Sequence, residues 1–370
     1  MNSNGRDVNK IYRVLYIAIM VIIVVTALVL ILTAQPVEAR PLKIGCIFSG
    51  RVDETGWNGS NYGGISSACE AAEIELCVRE NIPEEEQACV EAVASLVGEN
   101  CSVVFLTSYG YEQYADRLTG SYPGIKFCVT GSDTEDTAAT YYLGRMYEGR
   151  YLAGIVAGLT TKTNVIGYVA AMPNNEVNRG INAFAIGVKR VAPDARVKVI
   201  FTGSWDDAEK EKAAARKLAE MSADVMTYHQ NQESVPEVCD ELGIDFIGNN
   251  RVGGEYSEHF LTSIECSWDK IYTSIIRDIQ NGRNPGGMYW FGISDGAIRL
   301  TDYSENVSIR ARYEVMFAIN RINAGRNVFS GEIYDNSGVL RCAAGETLSD
   351  SSLIHSMDWF AEGVDIYEGE

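Results

Sequence analysis

The sequence has little positive charge for its length. Its 370 residues carry 31 Lys and Arg against 50 Asp and Glu, a formal net charge of −19 at pH 7. This balance argues against binding to nucleic acid, because phosphate backbones attract basic surfaces. Histidine is also scarce, with three in the chain, and no two cysteines have the CxxC spacing. A zinc or haem site therefore has little support, and we expect neither a metal nor a cofactor.

The common motifs of phosphate-binding and hydrolytic enzymes are also missing. The chain contains no GxxxxGK phosphate loop and no HExxH pair. Gly292–Gly296 matches G-x-S-x-G, but a nucleophile elbow needs a helix after the serine, and a strand-like run follows here. We therefore expect no catalytic activity.

One long apolar run is present, at residues 14–34, which carry no charge. As a helix rising about 1.5 Å per residue, this run reaches the ~30 Å thickness of a bilayer core. Arg6, Lys10 and Arg13 precede it, so the positive-inside rule places the N-terminus in the cytoplasm and the remainder outside. We expect residues 1–39 to be a cytoplasmic tip with an anchor in the cell membrane. A cleavable signal segment, which would release a secreted protein, remains the alternative.

Nine cysteines are present. Outside the cytoplasm thiols can be oxidised, and an odd number leaves at least one unpaired within the chain. We expect structural thiols or one or two disulfides.

Apolar runs of strand length alternate with amphipathic stretches in two similar series. The first series covers 42–48, 74–80, 102–107 and 125–130, and the second covers 165–170, 196–202, 223–228 and 243–248. Nearly continuous apolar strands separated by helices are typical of parallel sheets covered on both faces. The sequence thus predicts an α/β protein with two doubly wound parallel-sheet lobes.

Boundaries follow from these two series. We expect an N-terminal lobe at 40–160 and a C-terminal lobe at 161–266. Further elements are predicted at 260–266 (strand), 267–281 (helix), 289–300 (strand pair) and 305–323 (helix), with a hairpin turning at 336–338. Residues 267–370 are expected to recross between the lobes and form a hinge.

A helix with two glycines, Gly154 and Gly158, lies between the two series. Arg145, Glu148 and Arg150 fall within the same helix length, which argues against a membrane dimer motif. We expect this helix to pack closely on its sheet.

The loops after the predicted strands share an unusual chemistry. In open parallel sheets, ligands bind outside the carboxyl ends of the strands. These loops offer aromatic faces and neutral amides, which suit a planar, uncharged, hydrogen-bonding ligand such as a nucleobase. The candidate binding residues are Asp53, Trp57, Asn58, Ser108, Tyr109, Met172, Asn174, Trp205, Asp206, His229, Gln230, Asn231, Asn249 and Asn250.

Several of these residues have a simpler interpretation. Trp57 and Trp205 either pack in the core or form a stacking clamp between lobes. Asp206 fits a helix N-terminal charge, and His229 fits a hydrogen-bonding or core histidine better than a general base. Two arginines, at positions 51 and 251, leave an anionic ligand open.

The stretch YEGRYLAGIVAGLTTKTNVIGYVAAMPNNEVNRG, continuing to residue 225, resembles the basic membrane protein (Bmp/Med) family of solute receptors. The resemblance runs from KIGCIFSG at 43 to MDWFAEGV at 357–364, and DETGWN is similar to the family's ligand loop. It implies a type I periplasmic-binding fold that closes on a purine nucleoside or nucleobase. It also implies delivery of that ligand to the permease and ATPase subunits of an ABC importer.

By the same resemblance, Trp57 and Trp205 occupy stacking positions, and Asp53 and Asn58 lie in the base-binding loop. The chain departs from the family pattern at Asn250, where nucleoside-binding members usually carry an aspartate that holds ribose. A free base and a nucleoside held by amides therefore both stay open. A sensor that signals to a membrane partner and a nucleoside hydrolase are the rival functions, and we expect a monomer.

Overall fold

The structure is a computed structural model that describes residues 13, 15–26, 28, 42–53, 56–131, 138–231, 233–250, 257–283 and 287–368. The chain divides into two units, residues 1–41 and Leu42–Glu370. Every buried side chain of the described residues lies in the second unit. This unit therefore carries its own core and is expected to fold without residues 1–41.

The first unit is helical at residues 13, 15–26 and 28, where the described side chains are exposed. The other residues of the predicted 14–34 span lie outside the described part of the chain. Among the described residues, no helix combines the length and apolar character required to cross a membrane.

The second unit alternates strands and helices from its first residues. The strands are β1 (Lys43–Ile47), β2 (Glu75–Arg79), β3 (Val103–Leu106), β4 (Lys126–Thr130), β5 (Thr140–Gly144), β6 (Val165–Ala170), β7 (Arg196–Phe201), β8 (Val225–His229), β9 (Asp245–Asn249), β10 (Phe260–Cys266), β11 (Gly287–Phe291), β12 (Ile298–Leu300), β13 (Ile333–Tyr334), β14 (Leu340–Cys342) and β15 (Val364–Glu368). The helices are α1 (Trp57–Ala71), α2 (Glu86–Gly98), α3 (Ala115–Ser121), α4 (Met146–Thr160), α5 (Asn175–Val191), α6 (Ala208–Glu220), α7 (Ser234–Leu242), α8 (Trp268–Gln280), α9 (Ile309–Asn323) and α10 (Asp350–His355), with a 3₁₀ turn at Tyr109–Tyr114.

The strands form two main sheets, one per lobe. The first has the order β11-β5-β4-β3-β1-β2 and is parallel throughout. The second has the order β12-β10-β9-β8-β6-β7-β15, in which β12 is antiparallel to β10. Each strand predicted in the two series is present, so the two-lobed parallel α/β prediction is confirmed.

Three segments connect the lobes. The chain leaves the first sheet after β5, returns after β10 into α8, which packs on α1, and leaves again between β11 and β12. The predicted strand pair at 289–300 is therefore wrong as a pair, because β11 joins the first sheet and β12 joins the second. The segment Gly292–Gly296, which matches the hydrolase motif, is the turn between them, and a strand follows it.

The helix with the two glycines belongs to the second lobe. The predicted first lobe runs to residue 160, whereas α4 packs chiefly on α5, and then on α9 and β10. A Cβ on Gly154 would lie 2.0 Å from the carbonyl oxygen of Phe184, and one on Gly187 would lie 2.2 Å from that of Tyr151. Gly154 and Gly187 thus allow close contact between two helices. The helix α4 also packs on its sheet, through β10, as predicted.

All nine cysteines lie in described residues, and the structure leaves each as a free thiol. Eight are buried, and Cys77 is half-buried. Burial raises the pKa of the Cys128 thiol to about 12 and that of the Cys69 thiol to about 11. These side chains act as small apolar core residues.

Candidate functional site

A cleft of about 1580 Å³ lies between the two lobes. The loops that follow β1 and β3 line one side, and those that follow β6, β7, β8 and β9 line the other. These loops meet because parallel strands direct their carboxyl ends to the same edge of each sheet. Most of the candidate binding residues line the cleft, namely Trp57, Asn58, Ser108, Tyr109, Asn174, Trp205, Asp206, His229, Asn231, Asn249 and Asn250.

Three candidate residues do not line the cleft. Asp53 is exposed and forms an ion pair with Arg51, which lowers the pKa of its carboxyl group. Met172 is 36% exposed at the surface of the second lobe. Gln230 is buried and donates from Nε2 to the hydroxyl of Thr202 at 2.8 Å. Arg251, one of the two arginines that kept an anionic ligand possible, lies outside the described residues.

The two tryptophans line the cleft from opposite lobes but are supported differently. Trp57 is the first residue of α1; its indole N–H donates to the carbonyl oxygen of Thr107 at 2.7 Å, and its ring meets Trp268 edge to face at 5.1 Å. Trp205 lies in the loop after β7, half-buried, with its ring edge to face on His229 at 5.7 Å. Trp57 is therefore part of the first-lobe core as well as of the cleft wall.

Two candidate amides serve the fold rather than an open binding position. Asn174 is the N-cap of α5, and its side-chain oxygen accepts from the backbone N–H of Val177 at 2.9 Å. The side-chain oxygen of Asn249 accepts from Nη2 of Arg150 at 2.7 Å. Arg150 is fully buried beneath the cleft and also donates to the backbone carbonyl of Tyr228 at 2.8 Å. This arginine thus positions the ends of β8 and β9.

Four polar atoms at the cleft are buried without a hydrogen-bond partner in the described part of the chain. They are Oδ1 of Asn58 and the hydroxyl of Tyr109 on the first lobe, with Nδ1 of His229 and Oδ1 of Asn250 on the second. Buried polar atoms are normally paired, so atoms of this kind around one cleft indicate a polar ligand. The set contains neither a cluster of metal-ligating groups nor a nucleophile–base pair.

Burial decides the charge states on the floor of the cleft. The pKa of His229 is lowered well below 6.5 by burial and by the positive charges of Arg150 and Arg179. Its Nε2 lies 3.9 Å from Oε1 of Glu176, whose pKa is raised by burial. Burial, with the charge of Glu176, also raises the pKa of Tyr109. His229 is therefore neutral near pH 7 and offers one donor and one acceptor.

Acidic side chains predominate in the cleft, and most of them were missed in the sequence. Among the described lining residues, Arg179 and Lys212 carry positive charge, and Lys212 is paired with Glu237 at 2.7 Å. Glu176 and Arg179 lie two and five residues beyond Asn174, in the first two turns of α5, and the sequence analysis selected the Asn174 amide there but not these charged neighbours. The lining carboxylates are Glu84, Glu112, Glu176, Asp206, Glu233 and Glu237.

The C-terminal helix α10 also reaches the cleft, through Ile354 and His355. It is held by Arg179, which donates to the carbonyl oxygen of Leu353 at 2.7 Å, and by an ion pair at 2.6 Å between Asp350 and Arg145. Nothing in the local sequence indicates this placement, because it depends on how the late segment folds back over α5.

The lobe connections are tied to one another beside the cleft. Arg145, at the first connection, donates from Nε to the carbonyl oxygen of Trp290 at 3.0 Å and places its guanidinium 4.1 Å from the ring centre. Oε2 of Glu148 accepts from the backbone N–H of Ile293 at 2.7 Å. The first and third connections are thus held together by charged side chains.

A family model, that of PnrA-like ABC transporter substrate-binding proteins (Bmp), matches residues 42–326. The chain belongs to the Bmp family. Members of this family are substrate-binding receptors and not enzymes, and they work with ABC transporter components. The family predicted from the sequence is thus confirmed.

Two relatives with different named ligands stand out. The chain is 29% identical to a purine-binding protein of Brucella abortus, over 88% of this chain and 93% of the relative. It is 31% identical to a candidate ABC transporter glucose-binding protein of Haloferax volcanii, over 72% of this chain and 66% of the relative.

Solved structures show the same fold. A transcriptional activator of the comK gene from Bacillus halodurans superimposes with a TM-score of 0.68 at 22% identity, covering 77% of this chain and 99% of the other. A solute-binding protein of an ABC transporter from Conexibacter woesei gives a TM-score of 0.65 at 18% identity, covering 77% and 97%. The predicted type I periplasmic-binding fold is confirmed.

Proposed function

We propose that this Bmp-family receptor binds an uncharged purine, as the base or the nucleoside, between its lobes and delivers it to an ABC importer. The observation that carries the proposal is the pairing of Trp57 and Trp205 from opposite lobes on one cleft. Aromatic faces on both walls suit a flat ligand, since each can stack on it. The purine-binding relative supports the same ligand class.

Hydrogen-bonding groups complement the edges of such a ligand. A purine edge presents both donors and acceptors, and the unpartnered buried atoms of Asn58, Tyr109, His229 and Asn250 supply both kinds. Leaving buried polar groups unpaired costs about 1 to 3 kcal/mol each, so a ligand that pairs them recovers that free energy. The amides at the carboxyl end of β9 can hydrogen-bond either a base or the ribose of a nucleoside.

The charge of the cleft opposes anionic ligands. Its lining carboxylates outnumber Arg179 and Lys212, and Lys212 is already paired with Glu237. A phosphate group would lose its hydration in a field set mainly by carboxylates, which is unfavourable. We expect nucleosides and bases to bind and nucleotides to bind at least tenfold more weakly.

Closure between the lobes would couple binding to transport. A ligand that contacts both walls binds the closed form more tightly and shifts the population toward it. The three lobe connections provide the hinge for such a motion. An importer that docks on both lobes could then distinguish the loaded receptor from the empty one. The rival sensor role would use the same closure to signal to a different membrane partner.

A thermal-shift screen of the segment 42–370 tests the ligand class. Adenine, guanine, their nucleosides, the matching nucleotides and glucose are compared, since a ligand at 100 times its Kd adds about 2.7 kcal/mol to stability. We expect stabilisation by bases or nucleosides, and Trp205→Ala serves as the binding control. Stabilisation by glucose alone would favour the ligand of the Haloferax relative and contradict the purine proposal.

The same proposal places the receptor at the cell membrane as a monomer with its second unit outside. The support is the uncharged 14–34 run behind Arg6, Lys10 and Arg13. Expression of the full chain followed by protease treatment of intact cells tests this. We expect removal of the second unit from a membrane-bound chain, while a protected chain would contradict the orientation.

A further inference from the structure

Helix α9 has an apolar face that the fold leaves uncovered. Its inner face is buried, with Ala311, Val315, Ala318 and Ile322 packed toward α4. Its outer face carries Ile309, Tyr313, Met316 and Phe317, which are 73%, 64%, 51% and 52% exposed. With the 100° rotation per residue of an α-helix, these four side chains form one continuous stripe. We name it the α9 stripe.

Arginines flank the α9 stripe on both sides. Arg310 and Arg321 lie along one edge, and Arg312 lies along the other, where it donates to the carbonyl oxygens of Ser304 and Val307. Within the described chain Arg310 and Arg321 form no ion pair. The acid on this helix, Glu314, is paired with Arg190 at 3.1 Å.

This local charge is opposite to that of the whole protein. The chain has a formal net charge of −19, whereas α9 carries three arginines and one already paired glutamate. An apolar stripe between basic edges is the pattern of helices that lie in a membrane interface, with the apolar face about 5 to 10 Å deep among the lipids. We propose that the α9 stripe docks on an anionic lipid surface.

A second copy of the chain fits this surface less well. Four partly exposed side chains offer roughly 400 Å², about half of the ~800 Å² that each partner of a stable dimer contributes. Two copies would also bring their arginine edges together. A lipid surface has no such limit, because it supplies negative charge and apolar depth to one helix.

Co-sedimentation of the segment 42–370 with vesicles tests the proposal without any cleft ligand. The vesicles contain phosphatidylcholine alone or with about 30% phosphatidylglycerol, in buffer of low ionic strength. We expect binding to the anionic vesicles that falls about tenfold in Tyr313→Ser/Phe317→Ser. Arg310→Gln/Arg321→Gln is expected to lose about fivefold per arginine, the value typical of one basic residue near an anionic surface.

Matched variants separate the α9 stripe from general effects. Leu242→Ser/Ile366→Ser removes apolar side chains that are 46% and 40% exposed elsewhere on the same lobe. Arg117→Gln/Arg283→Gln removes the same net charge from the first lobe, at exposed positions. We expect both controls to bind as the unmodified chain does and all variants to keep its melting temperature.

Three results would overturn the proposal. The first is no binding of the unmodified chain to anionic vesicles. The second is equal losses in the stripe variants and the controls. The third is a dimer in sedimentation velocity that Tyr313→Ser/Phe317→Ser abolishes, which would assign the stripe to a second copy. Because no purine is used, each result is independent of the proposed ligand.

Discussion

The two cleft tryptophans have different contacts, so replacing each of them should affect ligand binding and protein stability differently. Base–aromatic stacking contributes about 1 to 3 kcal/mol, so Trp57→Ala and Trp205→Ala should each raise the Kd for a purine by roughly 5- to 150-fold. Trp205 is half-buried against His229, and we expect its loss to change the free energy of unfolding by about 1 kcal/mol or less.

Trp57 should also matter for stability. Its indole N–H is bonded to the carbonyl oxygen of Thr107, and its ring packs on Trp268 inside the first lobe. Trp57→Ala removes both contacts and should lower the free energy of unfolding by about 2 to 4 kcal/mol. Trp57→Phe keeps an aromatic face but leaves the carbonyl unpaired, so we expect a loss of about 1 to 2 kcal/mol with little change in Kd.

Calorimetric titration with the purine that stabilises most, together with thermal unfolding of each variant, measures both quantities. Trp57→Phe is the control that separates stacking from folding. If neither alanine variant changes the Kd, the stacking clamp is refuted. If Trp57→Ala and Trp205→Ala lose the same stability, the assignment of Trp57 to the core is refuted.

Three other predictions concern packing, pH and ligand charge. Gly154→Ala would place a Cβ 2.0 Å from a backbone oxygen of α5 and should lower the free energy of unfolding, measured in denaturant, by about 3 kcal/mol. Gly63→Ala, whose Cβ would meet no atom within 4 Å, should be neutral or stabilising by about 0.5 to 1 kcal/mol in the same assay. Equal effects would contradict the close α4–α5 contact. Burial and the charges of Asp206 and Asp207 raise the pKa of Glu211 to about 7. The folded state thus holds a proton that the unfolded state releases near pH 4.5, and stability falls as pH rises from 4.5 to 7. Glu211→Gln should remove this fall, so the stability of the variant relative to the unmodified chain should rise by up to about 3 kcal/mol between pH 4 and pH 8. Parallel pH profiles for the two proteins would contradict the raised pKa of Glu211. Finally, a nucleoside and its 5′-monophosphate, titrated in parallel at low ionic strength, should differ in Kd by tenfold or more, and equal affinity would show that the cleft carboxylates do not select against charge.

Much of the architecture was predictable because burial on both faces makes parallel strands apolar throughout. Runs such as 165–170 and 260–266 coincide with β6 and β10 to the residue. The loops after these strands could be identified as a binding edge, since the direction of parallel strands determines where their ends meet. The same reasoning predicts that Trp57, Trp205 and His229 lie at this edge, and all three line one cleft.

Other features depended on contacts between distant segments. Whether β11 and β12 pair with each other or join different sheets is decided by the lobes that they reach, and their own residues fit either outcome. The same holds for Gly154 and Gly158 of α4, whose close neighbour is the helix α5.

Local sequence determined which residues form strands, which loops carry aromatic and amide side chains, and how acidic the chain is, because these depend on residue type and spacing alone. Tertiary structure decided which of those side chains remain open to a ligand. Asn174 and Asn249 are occupied by a helix cap and by Arg150, whereas Asn58 and Asn250 keep unpartnered oxygens at the cleft. The physical reason is that hydrogen-bond partners are assigned by proximity in space, and a side chain of the same type can serve the fold or the site according to what the chain brings beside it.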